Sequence, residues 1–223
     1  MRHERQVELL KRVQASGQRL AGLHAEASRT NTTTSYSDPD QFAKEMKHLF
    51  RKGPIFFGLS ADLAESGSYR ALRVDGLPLV VVRREDGSLD AFVNACRHRG
   101  APLVDTSSTG EGRTAVTCPD HPWTYNLDGS LRHARLMGPA LDQDGLGLKP
   151  VACEVFHGLI FVSLADNPAS FDQLRAEVDA PLAPFSLDRT RIAHRESYEV
   201  QANWKLLVEN YNECYHCAPA HPE

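Results

Sequence analysis

Cys96-Arg97-His98-Arg99-Gly100 and, further on, Cys118-Pro119-Asp120-His121-Pro122-Trp123 each offer one cysteine and one histidine, in the same order. Outward from them the chain reads as short strands punctuated by glycine turns. Upstream, Tyr69 to Val74 and Leu77 to Arg83 flank Asp75-Gly76, a strong signal for a two-residue hairpin turn. Glu85-Asp86-Gly87 then turns the chain into Leu89 to Val93, whose end delivers the first loop, and Thr114 to Thr117 leads into the second. Downstream, Trp123 to Asn126 and Ser130 to His133 flank Asp128-Gly129, and Val151 to Phe156 and Leu159 to Leu164 flank His157-Gly158. Short strands at this spacing predict a small antiparallel β sandwich, with the cysteine–histidine loops at its tips.

If the four side chains share one site, the inventory is two thiolates and two imidazoles. That set fits a [2Fe–2S] centre in which histidines replace the cysteines on one of the irons. Neutral imidazoles leave such a centre less negative, so it accepts an electron more readily than an all-cysteine one. A structural zinc ion is the competing reading, since two cysteines and two histidines are also a zinc set. Zinc fingers usually pair cysteine with cysteine and histidine with histidine, whereas each loop here mixes the two. The plainest alternative is a pair of buried cysteines and two surface histidines with no shared role. Gly100 lets backbone approach the site closely, and Pro119, Pro122 and Trp123 stiffen and shield the second loop.

Composition narrows the class. The chain has 223 residues, 41% hydrophobic and 24% charged, enough for one sizeable core or two modest ones. A net charge of −4 gives no electrostatic reason to expect nucleic acid or an anionic membrane as partner. Met1-Arg2-His3-Glu4-Arg5 leads into no apolar run, so no secretory leader is expected. Apolar runs such as Leu77 to Val82 are too short to span a bilayer. Cys153, Cys214 and Cys217, odd in number, suggest no disulfide framework, and a cytoplasmic location is expected.

The flanks have a different texture. Gln6 to Ala27 has helical composition, interrupted by Gly17 and Gly22, and Thr30 to Ser35 reads as a polar linker or extended arm. Asp38-Pro39 reads as a helix cap and first turn, followed by an apolar stripe of Phe42, Met46, Leu49 and Phe50 that suits a docking helix. Domain boundaries are expected to give 1–45 as a helical arm and linker, 46–166 as the β domain and 167–223 as the start of another domain. In that last part Phe171 to Val178 reads as a short helix broken up by Pro181 and Pro184, and Arg191 to Gln201 as one long strand. Asn203 is a good cap for a helix from Trp204 to about His216. On such a helix Glu213 and His216 are neighbours, and Glu209 lies one turn before Glu213. His216 and His221, five apart, reach one ion only if the helix breaks, which Pro219 provides. Two histidines and one further carboxylate make the facial triad of non-heme Fe(II) oxygenases. The competing readings are a zinc site at Cys214-x-x-Cys217 with the nearby histidines, and Glu213 as a solvated helix residue.

Taken together, the paired Cys–His loops and the segments Asn203-Trp204-Lys205, Glu209-Asn210-Tyr211, Glu213-Cys214-Tyr215-His216 and His221-Pro222 resemble the large (alpha) subunits of Rieske non-heme iron oxygenases. That family includes aromatic ring-hydroxylating dioxygenases and monooxygenases of carnitine, glycine betaine and other N-methyl compounds. The resemblance covers about residues 47 to 223 and implies a mainly β fold with an α+β remainder: a Rieske antiparallel β domain, then the opening part of a helix-grip catalytic domain, with helices at the N-terminus. It implies a [2Fe–2S] cluster on Cys96, His98, Cys118 and His121, and a mononuclear Fe(II) on His216 and His221. The family's third iron ligand is an acidic residue far downstream, so a C-terminally incomplete catalytic domain is expected, with turnover by these residues alone doubtful. Glu213 matches the acidic position that bridges the iron site to the Rieske histidine of a neighbouring subunit, where glutamate is similar to the quaternary-amine branch. Asn210 is expected to help orient the histidines. The implied partners are an NAD(P)H-dependent reductase or ferredoxin, O2 and a small-molecule substrate, within a homotrimer or an α3β3 assembly. The other class that fits is a ferredoxin-type Rieske electron carrier without oxygenase activity.

Overall fold

A computed structural model describes residues 3–17, 30–138, 141–168, 170–213 and 216. Its contacts divide the chain into two units, residues 43–198 and residues 1–42 with 199–223.

The first unit is built from ten strands: β1 (Ile55–Leu59), β2 (Tyr69–Val74), β3 (Leu77–Arg83), β4 (Leu89–Val93), β5 (Thr109–Gly110), β6 (Val116–Thr117), β7 (Trp123–Tyr125), β8 (Leu131–Ala134), β9 (Pro150–Phe156) and β10 (Leu159–Ser163). Seven of them form one sheet in the order β1-β10-β9-β4-β3-β2-β5, and β6-β7-β8 form a second. Every pairing is antiparallel. Two tight turns fix the register of the large sheet. Asp75 and Gly76 have φ of 47° and 75°, and His157 and Gly158 have φ of 50° and 74°. Positive φ at both central positions is the mirror-image turn that matches the natural twist of paired strands.

Alternation along β3 separates two cores. Val80 and Val82 join Tyr69, Ala71 and Phe92 of the large sheet and Val116, Trp123, Tyr125 and Ala134 of the small one, so the small sheet covers that face. Leu79 and Val81 point the other way, into a cluster with Phe57, Leu63, Ala91, Ile160 and Val162. Residues of β1, at one end of the seven-strand order, meet Leu72 and Val74 of β2, next to the other end, in that second cluster, so the large sheet curls around it. This is the layered antiparallel β architecture that the turn spacing predicts.

Four expectations need correction. The docking stripe is not evenly buried, because α3 (Pro39–Glu45) continues into a wider i→i+5 turn over Met46–Phe50. Phe42 and Leu49 remain 43% and 54% exposed while Glu45 is buried. The capping part of that reading holds: the Asp38 carboxylate accepts from the amides of Asp40 at 2.8 Å and Gln41 at 3.4 Å. The helix after Phe171 runs through Pro181, as α4 (Asp172–Leu182), and docks Leu174 and Val178 against Phe156, Phe161 and Phe171. A proline there forfeits its own backbone bond to the Glu177 carbonyl, and the helix stops one residue later. Residues 190–203 form no strand, because among the described residues no neighbour offers them a ladder.

In the other unit, α1 (His3–Gly17), α2 (Thr34–Ser37) and α5 (Trp204–Tyr211) are the regular elements. Asn203 caps α5 as expected, its carboxamide oxygen accepting from the Lys205 amide at 3.1 Å. The fourth correction is that α5 ends at Tyr211, well before His216. The Asn212 amide closes on the carbonyls of Val208 and Glu209, and its side chain donates to Val208 at 2.9 Å. Among the described residues no helix is long and apolar enough to cross a membrane.

Candidate functional site

Two loops of the β unit meet at its edge. The first leaves β4 through Asn94 and Ala95 and is folded back on itself: the Cys96 amide donates to the Ala101 carbonyl, and the Gly100 amide to the Cys96 carbonyl, each at 2.8 Å. Gly100 has a φ of 80°, which a residue with a Cβ adopts only under strain. Behind the loop, the buried Asn94 carboxamide donates to the Val104 carbonyl at 2.8 Å and accepts from the amides of Leu103 and Val104 at 3.1 and 3.2 Å. The second loop joins β6 to β7. Its ends are pinned by the Cys118 amide, which donates to the Trp123 carbonyl at 2.9 Å.

The four expected ligands pair off, thiol with thiol and imidazole with imidazole. Cys96 and Cys118 are each only 3% exposed, belong to the core shared by the two sheets and are free thiols facing one another. The rings of His98 and His121 lie edge to face, with centroids 4.9 Å apart. His98 also stacks on Trp123 at 5.2 Å, and so has one face shielded from water. His121 is nearer the surface, with 47% of its side chain exposed and the Asp120 carboxylate 2.8 Å from its Nδ1. The site is thus dry at the sulfur end and open at the imidazole end.

Tyr125 completes the dry end. Its hydroxyl lies 3.2 Å from Cys96 Sγ and accepts from the Arg97 amide at 3.0 Å. Burial, with the bond to Cys96, pushes its phenol well above the usual range. Burial likewise raises the Cys118 thiol, with the neighbouring Cys96 adding to the effect, while the backbone amides of His121 and Asp120 oppose it. Such burial favours the protonated Cys118 thiol unless a cation arrives to hold the thiolate.

Among the described residues no three His, Cys, Asp or Glu side chains converge to hold one ion. A thiol pair and an imidazole pair suit two metals with two protein ligands each, as in a mixed-ligand [2Fe–2S] cluster, better than one tetrahedral zinc.

At the other candidate site, Glu213 lies beyond the end of α5 but still meets His216, with Oε1 2.6 Å from Nδ1. Asn210 sits on the last turn of α5. His221, Cys214 and Cys217 lie outside the described residues, as does the zinc alternative built on them. Cys153 is a free thiol on β9, pushed by burial and then by Asp90 and Glu154 up to about 12.

Residue reading missed Tyr125 and Asn94. Tyr125 carried a usable signal, since it follows Trp123 by two on one strand and so shares its inward face. Asn94 carried none, because the groups that it bonds lie nine and ten residues away in a loop.

Residues 54–159 match the family model for the Rieske [2Fe-2S] domain, and residues 187–223 that for the ring hydroxylating alpha subunit catalytic domain. The glycine betaine monooxygenase oxygenase subunit of Chromohalobacter salexigens is 43% identical over 190 residues, covering 84% of this chain and 42% of that protein. The carnitine monooxygenase oxygenase subunit of Escherichia coli (strain K12) is 36% identical over 191 residues, covering 84% of this chain and 50% of that protein. A solved structure of the quaternary ammonium Rieske monooxygenase CntA with gamma-butyrobetaine superposes with a TM-score of 0.77 at 34% identity, covering 86% of this chain and 56% of that one. The chain spans about half the length of these relatives.

Proposed function

From the premise that the chain belongs to the alpha subunits of Rieske-type oxygenases, we propose that it serves as part of a terminal oxygenase component acting on a quaternary or N-methylated amine. The observation that carries the family-level reading is the double pair at the β-domain edge, with two buried thiols and two imidazoles nearer solvent. The amine reading is supported by the relatives that share more than a third of their aligned residues with this chain. Glutamate at 213 points the same way. The proposed reaction is O2-dependent hydroxylation or demethylation. Electrons would come from an NAD(P)H-dependent reductase or a ferredoxin, within a trimeric assembly in the cytoplasm.

When bound, a [2Fe–2S] cluster supplies one-electron storage at a potential above that of all-thiolate ferredoxins, and a mononuclear Fe(II) supplies O2 activation. Cys96 and Cys118 would hold one iron of the cluster, and His98 and His121 the other. The Tyr125 hydroxyl and the amides of Asp120 and His121 aim at the sulfurs and stabilise negative charge there. Trp123 keeps water off His98, while His121 stays within reach of a partner surface. His216 and His221 would hold the mononuclear iron. Glu213, by engaging His216 Nδ1, fixes the ring and would leave Nε2 available to a metal.

A Rieske electron carrier is the alternative, and it has no use for the Glu213–His216 pair. Substitution separates them. Cys96→Ser or His121→Ala is expected to bleach the cluster's visible absorption, whereas His216→Ala keeps the colour and lowers iron from three per chain toward two. In a chain extended through the family's downstream acidic ligand, two irons per chain before and after His216→Ala, with electron transfer but no O2-dependent product from glycine betaine or carnitine, would establish the carrier instead.

A further inference from the structure

Tyr36 lies in α2, in a stretch whose composition suggests only a polar arm, yet it makes contact with three residues at the start of the proposed catalytic segment. Its backbone carbonyl accepts from Asn203 Nδ2 at 3.0 Å, and its hydroxyl donates to Glu209 Oε1 at 2.8 Å. The Lys205 ammonium sits over its ring, 5.9 Å from the centroid. Asn31 Nδ2 in turn donates to the Tyr36 hydroxyl at 3.3 Å.

The two hydrogen bonds fall at opposite ends of the first two turns of α5. Asn203 uses its oxygen to cap the helix and its NH2 to hold Tyr36, so the cap and the anchor are one side chain. Glu209 is adjacent to Asn210 and four residues before Glu213, which follows the end of α5. A helix gripped at one point can still rotate about its axis, whereas one gripped at both 203 and 209 cannot. The need for such a grip is clear from the helix itself. α5 has eight residues and buries none of them, and helices shorter than about 12 residues are marginal without outside support.

We propose that Tyr36 is a positioning residue of the oxygenase: acting through Glu209, it sets the rotation of α5 and hence the placement of Asn210 and the Glu213–His216 pair. This rests on the reading of His216 as an iron ligand, and the test keeps the two apart. Tyr36→Phe deletes only the hydroxyl; Glu209→Leu breaks the same bond from the other side and leaves the tyrosine ring in place, should the first variant fold poorly. Hydrogen exchange of the backbone amides of 209–213 in the 223-residue chain is expected to quicken about fivefold in either variant, and no further in the double variant. Glu209→Gln, which keeps an acceptor, is expected to retain the parent rate. Co(II) is the metal probe: its affinity, read from its visible absorption, is expected to weaken about threefold to tenfold in Tyr36→Phe, with Glu209→Gln close to the parent. Unchanged exchange, or changed exchange with unchanged Co(II) affinity, overturns the positioning role. Read as a difference spectrum on cluster-loaded protein, so that the cysteine–histidine pocket is already filled, Co(II) binding that survives His216→Ala overturns the iron-ligand reading instead, whatever the exchange rates show.

Discussion

Replacing Asn94 by alanine asks whether the first cysteine–histidine loop is held from behind. Asn94 is 1% exposed, and its side chain makes three hydrogen bonds, to the carbonyl of Val104 and the amides of Leu103 and Val104. Alanine removes all three and strands two N–H groups and a carbonyl. Each lost bond costs about 1 kcal/mol, and more where the partner stays dry, so a loss of about 3–5 kcal/mol is expected. For a unit of this size that is a fall in melting temperature of about 6–20 °C. Asn94→Asp sharpens the test. Its carboxyl still accepts from both amides, but deep burial and the facing Val104 carbonyl, to which it donates only when protonated, outweigh them, favour the neutral form and raise that pKa. The stability so gained is present below about pH 4, the unfolded carboxyl's range, and is lost as pH rises through the folded value. The assay is urea denaturation followed by tryptophan fluorescence, at about pH 4.5 and about pH 8 for the aspartate variant. An alanine variant with the parent's midpoint, or an aspartate variant whose deficit is the same at both pH values, would refute this account.

Tyr125→Phe removes the hydroxyl facing Cys96 Sγ. If Cys96 holds the cluster as proposed, a donor to its sulfur favours the more negative, reduced state by about 0.5–1.5 kcal/mol, so the reduction potential should fall by about 20–60 mV in spectroelectrochemistry. An unchanged potential would show that the hydroxyl donates elsewhere. Cys153, pushed up to about 12, is expected to hold its proton where an unfolded chain loses it near about pH 8.5. Its contribution to stability is therefore intact below about pH 8.5 and drains away toward pH 12, and Cys153→Ala should flatten the alkaline decline seen in denaturation midpoints. Equal slopes in parent and variant would sink that assignment. Gly158→Ala would place a Cβ 2.8 Å from the Asp188 Cα at a φ of 74° and should destabilise by about 1–3 kcal/mol, measured in the same way.

How far the sequence could be read depended on where each element's information lies. β2, β3 and β4 have the expected boundaries because alternation and an Asp-Gly turn are written within the strands themselves. β1 was not foreseen: Gly58 interrupts it and a register shift follows Phe56, so its identity comes from β10 rather than from its own residues. β5 is two residues long and exists only as an edge on β2. Residues 191–201 have the composition of a strand, but a strand also needs a neighbour, and composition does not report one. The two Cys–His loops were legible as a candidate site because residue identity and order are written in the sequence itself. The end of α5 was not, since it depends on a hydrogen bond from Asn212 back to Val208 that any of several residue types forgoes. Tyr36 was invisible for the plainest reason: its contacts lie 167 and 173 residues away.

The two-faced burial of β3 has a consequence for tolerated variation. Damage on this strand sorts by odd and even position. Trimming Val80 or Val82 opens space beside the core that contains Cys96 and Cys118, so colour and potential should register it along with stability. Trimming Leu79 or Val81 hollows out the far compartment, lined by Phe57, Ile160 and Val162, and should weaken the fold while leaving the optical spectrum alone. Adjacent valines on one short ribbon would then give unlike phenotypes.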